Sequence, residues 1–254
     1  QNLSKYYPAQ KSFWGKALSY TKAVDEVSFT MKKGETLGLV GESGCGKSTL
    51  GRAILRLISP TAGKVVFEGK DVFGFSNEEM RKMRKHMQII FQDPYSSLNP
   101  RMKIGEAIKE PMIIHHLYGS NEIRTEKVME LLDVVGLSRD HYNRYPHQFS
   151  GGQRQRINIA RTLSLNPKFI VCDESVSALD VSVQAQVLNL LMDLKAQFDL
   201  TYLFISHDIS VVKHISDNIM VMEKGKIVEK GNSEEVYRQP QNAYTKRLIE
   251  AVPK

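Results

Sequence analysis

The sequence is poor in cysteine, with two among 254 residues. Cys45 lies in a glycine-rich segment and Cys172 in an apolar run, and neither belongs to a spaced cluster. A disulfide framework and a cysteine-ligated metal cluster are therefore not expected. This cysteine usage is typical of a reducing compartment.

Long hydrophobic runs are also missing. No stretch approaches the roughly eighteen uninterrupted apolar residues of a membrane-spanning helix, and the N-terminal residues lack the charged-then-apolar pattern of a secretory signal. The composition, 41% hydrophobic and 25% charged, is that of an ordinary soluble protein. We expect the chain itself to lie in the cytoplasm.

The net charge of +7 raises the question of nucleic-acid binding. The densest basic run, RKMRKH, covers residues 81–86, and Ser76 and Glu79 before it form a capping-box pattern that predicts a helix start. Aromatic-interleaved basic motifs of the single-strand or RNA-binding kind are absent from the sequence. The run is therefore interpreted as the solvated face of a helix, and no nucleic-acid partner is expected.

Segments rich in β-branched residues alternate with amphipathic stretches, which predicts an α/β fold with a parallel sheet. The strands of this sheet are predicted at residues 36–40, 87–91, 169–172 and 201–206. Residues 24–31 and 64–67 would form a small antiparallel layer. A hairpin is predicted from residues 219–222 and 226–229, with a short helix after Ser233.

Three predicted helices carry apolar residues at helical spacing. The first starts at Lys47 and stops before Pro60, with Leu50, Ile54 and Leu57 on one face. The second starts near Val183, and its apolar residues are Val187, Leu190, Leu191, Leu194 and Phe198. The third lies between residues 121 and 135, and its apolar residues are Ile123, Val128, Leu131, Leu132 and Val135. Because the strand signal disappears between residues 91 and 150, this region is predicted to be an inserted helical subdomain.

A glycine-rich segment, GESGCGKST, covers residues 41–49 between a predicted strand and a predicted helix. Its glycines let successive N–H groups point at a phosphate, and the helix N-terminus favours negative charge. Lys47 would reach the β- and γ-phosphates, and Ser48 would bind Mg²⁺. ATP and Mg²⁺ are therefore expected, and the residues predicted to bind nucleotide here are Gly41, Ser43, Gly44, Cys45, Gly46, Lys47, Ser48 and Thr49.

Two carboxylates, Asp173 and Glu174, follow the apolar strand segment 169–172. Ligands of open α/β sheets bind at the carboxyl ends of strands. Asp173 would hold Mg²⁺, and Glu174 would orient and deprotonate the attacking water. His207, at the end of another predicted strand, would contact the γ-phosphate. The alternative for the two acids is that they cap the next helix.

A second anion-binding nest is predicted where Ser150, Gly151, Gly152 and Gln153 open a helix. One face of this helix carries Ile157, Ala160 and Leu163. One chain does not need two cradles for a single γ-phosphate. The sequence therefore predicts a dimer in which the nest of one protomer covers the ATP held by the other.

Taken in this order, the motifs resemble the nucleotide-binding subunit of an ATP-binding-cassette (ABC) transporter over essentially the whole length. The resemblance implies a P-loop NTPase fold with a RecA-like core, an antiparallel β subdomain and an inserted α-helical subdomain. A single nucleotide-binding domain would span residues 1–254. Residues 1–91 and 165–254 would form the core with its β layer, and residues 94–162 the helical subdomain.

The same resemblance assigns further roles. Residues 149–153 would be the cassette signature, and Gln92 the hinge glutamine that senses Mg²⁺ and contacts the membrane subunits. Residues 177–180, ending at Asp180, would cross the dimer interface, and His207 would be the switch histidine.

An aromatic residue upstream of the phosphate loop stacks on adenine in this family. Tyr7 matches that place, and its neighbour Tyr6 is the alternative.

Three segments, at residues 92–101, 145–156 and 177–182, are similar to those of the oligopeptide, dipeptide and nickel importer group. Residues 95–101 look most like the second ATPase of that group, the one lettered F. The resemblance implies a second cassette ATPase in a heterodimer or homodimer, two membrane permeases and an extracytoplasmic substrate-binding protein. The chain would work at the cytoplasmic face of the cell membrane, with peptides ahead of nickel or glutathione as cargo.

Three departures from the group pattern are visible. Phe149 stands where leucine is more common, and Ser175 follows Glu174 where proline is usual. The sequence ends where the group continues into a cysteine-bearing extension, so we expect that extension and its iron–sulfur cluster to be absent.

Two other kinds of cassette protein are alternatives to an importer subunit. One is a scaffold in a soluble enzyme complex. The other is a translation or repair factor, which would carry two cassettes or a long coiled coil.

Overall fold

The computed structural model describes residues 1–11 and 17–252. The chain forms two compact units, the first from Gln1–Met80 and Leu203–Lys254 and the second from Arg81–Tyr202. The predicted division into a core and a helical subdomain at residues 94–162 stays a prediction. Of the predicted domain, residues 12–16, 253 and 254 lie outside the described residues.

Strands and helices alternate along much of the described chain. In chain order they are β1 (Leu3–Lys11), β2 (Ala17–Val27), β3 (Thr36–Val40), α1 (Lys47–Ile54), β4 (Val66–Phe67), β5 (Lys70–Asp71), α2 (Asn77–Arg84), β6 (Met87–Ile90), α3 (Ile104–Ile114), α4 (Asn121–Val134), α5 (Gly151–Leu163), β7 (Phe169–Asp173), α6 (Val181–Phe198), β8 (Thr201–Ser206), α7 (Ile209–Ile215), β9 (Asn218–Glu223), β10 (Lys226–Asn232), α8 (Ser233–Arg238) and α9 (Ala243–Glu250).

In the first unit the hydrogen-bonded strand order is β10-β9-β3-β8. β3 and β9 run parallel, and β9 and β10 form an antiparallel hairpin. All five residues of β3 are buried, as expected for a strand covered on both faces. Helix α7 lies directly on this strand, because a Cβ at Gly38 would be 2.1 Å from Val212 Cγ1.

In the second unit, β6 and β7 pair in parallel. Helices α3, α4 and α5 follow β6 along the chain. Their buried apolar residues include Ile104, Ile108, Met112, Val128, Leu132 and Ile157. Gly105 allows α3 to approach Tyr142, whose ring would lie 2.3 Å from a Cβ at that position.

Several sequence predictions are confirmed by this structure. The strands at 36–40 and 201–206 have the predicted bounds, and those predicted at 87–91 and 169–172 end within one residue of expectation. The hairpin and the helix after Ser233 are present. Ser76 and Glu79 form the predicted capping box, since each side chain accepts from the other residue's N–H at 3.3 and 2.8 Å respectively.

Other predictions need correction. Helix α1 ends at Ile54 because Arg56 adopts a left-handed conformation with φ +50°, and Leu57 is 44% exposed instead of facing the core. Ile123 was predicted on a buried face, but it lies in the first turn of α4 and is 57% exposed.

The predicted layer from residues 24–31 and 64–67 is also wrong in its pairing. Strand β2 ends at Val27 and pairs with β1, whereas β4 pairs with β5, the strand that follows it along the chain.

Among the helices within residues 1–11 and 17–252, none combines the length and hydropathy needed to cross a membrane.

Candidate nucleotide-binding site

The glycine-rich segment joins β3 to α1, as the sequence predicts. Gly44 and Gly46 have φ of +80° and +112°, a region that residues with a Cβ rarely adopt. A Cβ at position 46 would also lie 1.9 Å from the Ala23 carbonyl oxygen on β2. Position 46 therefore requires glycine for two independent reasons, its backbone conformation and its contact with β2.

Lys47, the first residue of α1, is only 4% exposed. Its ammonium donates hydrogen bonds to the Gly41 carbonyl at 2.7 Å and to the Glu42 carbonyl at 2.9 Å. Both acceptors belong to the loop itself, so the cation lies over the curled backbone. Within residues 1–11 and 17–252 the hydrogen-bond acceptors of this buried ammonium are neutral, so it would gain strongly from an anion such as a phosphate oxygen.

The other predicted loop residues lie in the same turn. The Cys45 N–H donates to the Glu42 carbonyl at 3.3 Å, and the Cys45 carbonyl accepts from the Gly225 N–H at 2.9 Å. Burial raises the pKa of the Cys45 thiol above its ordinary value, although the nearby Lys47 charge opposes the shift. Ser43 lies in the turn before α1, and Ser48 and Thr49 lie in its first turn.

A tether to this loop was missed at the level of sequence. The buried Tyr244 on α9 accepts a hydrogen bond from the Glu42 N–H at 2.9 Å through its hydroxyl oxygen. Burial is the main reason that the pKa of Tyr244 is raised. No local pattern marks this tyrosine, because about 200 residues separate it from Glu42 along the chain.

The two tyrosines considered for stacking on adenine have different surroundings. Tyr6 donates its hydroxyl hydrogen to Asp25 Oδ1 at 2.7 Å and is tied to the buried Asp25. Tyr7 is 40% exposed, with the Lys5 ammonium 4.9 Å from its ring centroid. Tyr7 therefore presents the ring that a base could cover.

His207 follows β8 directly and is exposed. The next residue, Asp208, caps α7 by accepting from the Ser210 and Val211 N–H groups at 2.8 and 3.4 Å. The histidine therefore projects from a turn that is fixed on both sides by regular structure.

In the second unit, Asp173 is the buried last residue of β7, and Glu174 follows it. Glu174 has φ +49°, a left-handed conformation that costs a non-glycine residue about 1–2 kcal/mol. Strain of this kind is concentrated at functional sites. The strand β7 ends at Asp173, and the chain turns at the left-handed Glu174.

Gln92 and Glu174 lie within hydrogen-bonding distance of each other. The Gln92 amide nitrogen donates to Glu174 Oε2 at 3.1 Å and to Ser177 Oγ at 3.3 Å. The Ser177 hydroxyl in turn donates to the Glu174 carbonyl at 2.9 Å. This small network sets the orientation of the predicted base.

The three predicted Mg²⁺ ligands offer hard oxygen donors, which this ion prefers. Ser48 supplies a hydroxyl and Asp173 a carboxylate. Gln92 uses its amide nitrogen towards Glu174, so its carbonyl oxygen is the atom that would serve a metal. The donor set therefore fits Mg²⁺.

The predicted signature residues start α5. Ser150 accepts from the Gln153 N–H at 3.3 Å, and the Gln153 side-chain oxygen accepts from the Ser150 N–H at 3.0 Å. A Cβ at Gly152 would lie 2.2 Å from Val183 Cγ1 on α6, whereas one at Gly151 would meet Leu179 at 3.5 Å. Gly152 thus serves close helix packing, whereas position 151 has room for a Cβ.

Asp180 has a structural role in addition to the predicted one at a dimer interface. Its carboxylate caps α6 by accepting from the Val183 N–H at 3.0 Å and from the Ser182 hydroxyl at 2.8 Å. Hydrogen bonds from Val183 and Ser182 lower the pKa of Asp180. The placement of residues 177–180 across a dimer interface stays a prediction.

Comparison with protein families matches residues 24–177, more than half of the chain, to the family described as ABC transporter. The chain belongs to the ABC transporter family. The oligopeptide transport ATP-binding protein AppF of Bacillus subtilis (strain 168) is 54% identical over 254 residues, which is 100% of this chain and 77% of the relative. The dipeptide transport ATP-binding protein DppF of Haemophilus influenzae is 52% identical over 252 residues, covering 99% of this chain and 76% of the relative.

Solved ABC cassettes have the same fold. The ATP-binding cassette MJ0796, described as dimeric and bound to ADP and Pi in a post-hydrolysis state, superimposes with a TM-score of 0.79 at 29% identity, over 92% of this chain and 97% of that chain. This similarity confirms the predicted P-loop cassette fold for this ABC family member.

Proposed function

We propose that this chain is the ATP-binding and ATP-hydrolysing subunit of a membrane importer for oligopeptides or dipeptides. The single observation that carries the ATPase part is the hydrogen bond between Gln92 and Glu174 at 3.1 Å. It places an amide that can serve Mg²⁺ beside a carboxylate that can accept a proton from water. The import part rests on the names of the relatives, which are oligopeptide and dipeptide transport ATP-binding proteins.

Each residue has a distinct role in the proposed reaction. The loop N–H groups and Lys47 bind the phosphates, and the Tyr7 ring stacks on adenine. Ser48, Asp173 and Gln92 would hold Mg²⁺, which would supply neutralisation of the negative charge of the phosphates. Glu174 orients the attacking water and accepts its proton.

Dimerisation completes the proposed cycle. Ser150, Gly151, Gly152 and Gln153 of one protomer cover the ATP held by the other, since two anion-binding helix starts in one chain exceed the needs of one γ-phosphate. The dimeric state of the related cassette supports this arrangement. The second ATPase is a different chain, so the dimer is a heterodimer. In this chain, Asp180 lies near the dimer interface and His207 contacts the γ-phosphate.

The importer would also contain two membrane permeases and an extracytoplasmic substrate-binding protein. The chain would act at the cytoplasmic face of the membrane as a peripheral subunit. The names of the relatives favour this assembly over a scaffold in a soluble enzyme complex, because they refer to transport.

Gentle detergent purification from native membranes, followed by mass spectrometry, tests the proposal. We expect a second cassette ATPase, two polytopic permeases and a lipid-anchored binding protein to copurify, with ATPase activity that depends on Glu174. Recovery of soluble enzymes or ribosomal proteins without a permease would contradict the transport function and leave the ATPase chemistry untouched.

A further inference from the structure

Helix α5 carries three polar side chains that reach the segment just after Gln92. Arg154, Asn158 and Arg161 are spaced at i, i+4 and i+7 and so lie on one face of the helix. The Arg154 guanidinium is 4.8 Å from the Tyr95 ring centroid, and Arg161 donates a hydrogen bond to the Ser97 carbonyl. The Asn158 amide nitrogen donates to the Pro94 carbonyl at 3.2 Å.

Asn158 is the most informative of the three because it is only 3% exposed and uncharged. Within the described part of the chain, its Oδ1 has no hydrogen-bond partner, so the bond to Pro94 is the polar contact of this side chain. A buried amide that is half satisfied costs more than an apolar residue of the same size. Packing alone therefore does not explain an asparagine at this position.

The segment that Asn158 holds is an ordered turn. The Asp93 carboxylate accepts from the Tyr95 N–H at 2.8 Å and from the Ser96 N–H at 3.3 Å. The Ser97 hydroxyl donates to the Asp93 carbonyl at 2.7 Å. Because the turn begins directly after Gln92, fixing the Pro94 carbonyl fixes the direction in which the Gln92 side chain leaves the chain.

The same helix also holds the segment after Glu174. Gln155, which is fully buried, donates its amide hydrogen to the Ser175 carbonyl at 2.7 Å. One helix therefore bonds a carbonyl two residues beyond Gln92 and a carbonyl one residue beyond Glu174. Between these two anchors lies the 3.1 Å hydrogen bond from the Gln92 amide to the Glu174 carboxylate.

We propose that Asn158 and Gln155 are positioning residues that set the Gln92–Glu174 distance from one rigid helix. Both side chains bond backbone carbonyls beside Gln92 and Glu174, and they act through the two residues that they place. The expected effect on kcat rests on the proposed ATPase function. The positioning of Gln92 and Glu174 by α5 concerns the second unit alone. Because Ser150 caps α5, a displacement of the 93–97 turn would also be passed to the start of the helix.

Asn158→Leu is the direct test, since leucine fills a similar volume and removes the donor to Pro94. Hydrogen–deuterium exchange of the full chain, followed by mass spectrometry, should show at least about threefold faster exchange in peptides covering residues 93–98. Thr162→Val is the matched control, because Thr162 is also buried on α5 and its hydroxyl bonds within the helix, to the Asn158 carbonyl. Equal exchange in Asn158→Leu and Thr162→Val would overturn the proposal.

Kinetics on the assembled complex provide the second readout. Loss of one hydrogen bond that orients a catalytic pair predicts a kcat about five- to tenfold lower, with KM within about twofold. In a Gln92→Ala background, Asn158→Leu should lower kcat no further, because the residue through which it acts is gone. An additive loss in the double variant would indicate a general structural role and refute the proposal.

The two readouts separate the two hypotheses. If the assembled complex lacks ATPase activity altogether, the proposed function is wrong, and the exchange data alone decide whether Asn158 holds the turn. If ATPase activity is present while the exchange of residues 93–98 is unchanged in Asn158→Leu, the positioning role is wrong and the ATPase function stands.

Discussion

The Tyr244 hydroxyl on α9 accepts a hydrogen bond from the Glu42 N–H in the phosphate loop at 2.9 Å. Removing the hydroxyl in Tyr244→Phe leaves that N–H without its buried acceptor and loosens the loop. We expect ATP affinity, measured by nucleotide titration, to fall about two- to tenfold, consistent with the ~0.5–1.5 kcal/mol of one hydrogen bond.

The control for this prediction is Tyr142→Phe. It removes another tyrosine hydroxyl, which donates to Glu106 in the second unit at 2.7 Å. Tyr142→Phe should lower the melting temperature without changing ATP affinity. Equal ATP affinities of Tyr244→Phe and the unmodified chain would show that the tether has no bearing on nucleotide binding.

Lys47→Ala should weaken ATP binding severely. The ammonium is the only side-chain cation of the loop, and a charge-assisted bond is worth about 1.5–3 kcal/mol, so a loss of about 100-fold is expected in a titration. Lys127→Ala, which removes a lysine paired with the exposed Glu130 at 2.7 Å, is the matched control and should bind ATP normally. Retained affinity in Lys47→Ala would contradict the phosphate-binding role of this loop.

Glu174→Gln should bind ATP yet hydrolyse it at least about 100-fold more slowly, because an amide cannot accept the proton of the attacking water. The shape of the side chain is kept, so the dimer should stay closed around ATP in size-exclusion chromatography. Hydrolysis at the normal rate would exclude Glu174 as the base.

Ser150→Arg should slow hydrolysis in the assembled dimer without weakening ATP binding to the variant chain, because Ser150 is proposed to cover the partner's nucleotide. The substitution also removes the cap of α5, a loss of about 1 kcal/mol. Ser120→Arg, which removes the equivalent cap of α4, is the matched control for that loss. Weaker ATP binding by the Ser150 variant itself would contradict the arrangement across the dimer.

The two thiols should differ in their reaction with maleimide. Burial raises the pKa of Cys45, so the thiolate is a minor species at pH 7, and its fraction and the labelling rate should increase as the pH rises towards 9. Cys172 is fully buried, its pKa is raised to about 12, and it should stay unlabelled throughout that range.

Mass spectrometry of labelled peptides measures both rates, with Cys45→Ser as the control that leaves Cys172 alone. Bound ATP should slow the labelling of Cys45. Labelling of Cys172 in the folded chain as fast as that of Cys45 would show that β7 opens.

Much of the fold could be predicted from sequence because its signals are local. β3, β8 and the final hairpin each combine a short, largely apolar segment with a turn residue nearby, and these predictions are confirmed. The end of α1 could not be predicted in the same way. The left-handed Arg56 ends the helix, and neither its identity nor its neighbours carry a glycine or proline signal.

The residues of the candidate site also differ in whether local sequence predicts them. Lys47, Ser48, Asp173 and Glu174 belong to short motifs that contain their own chemistry, so sequence was sufficient to propose them. The contacts of Tyr244 with Glu42 and of Asn158 with Pro94 join residues 202 and 64 positions apart. Such contacts depend on tertiary packing, which a single sequence without homologues does not reveal.

The close approach of Gly152 to Val183 affects how mutational screens of the signature should be interpreted. A side chain at position 152 would collide with α6, so variants there would lose activity through distorted helix packing even if Gly152 never met a nucleotide. At position 151 the nearest atom is 3.5 Å away, and alanine fits. In a saturation library, loss of activity at position 151 would therefore report on nucleotide contact. Loss of activity at the neighbouring position 152 would report on folding.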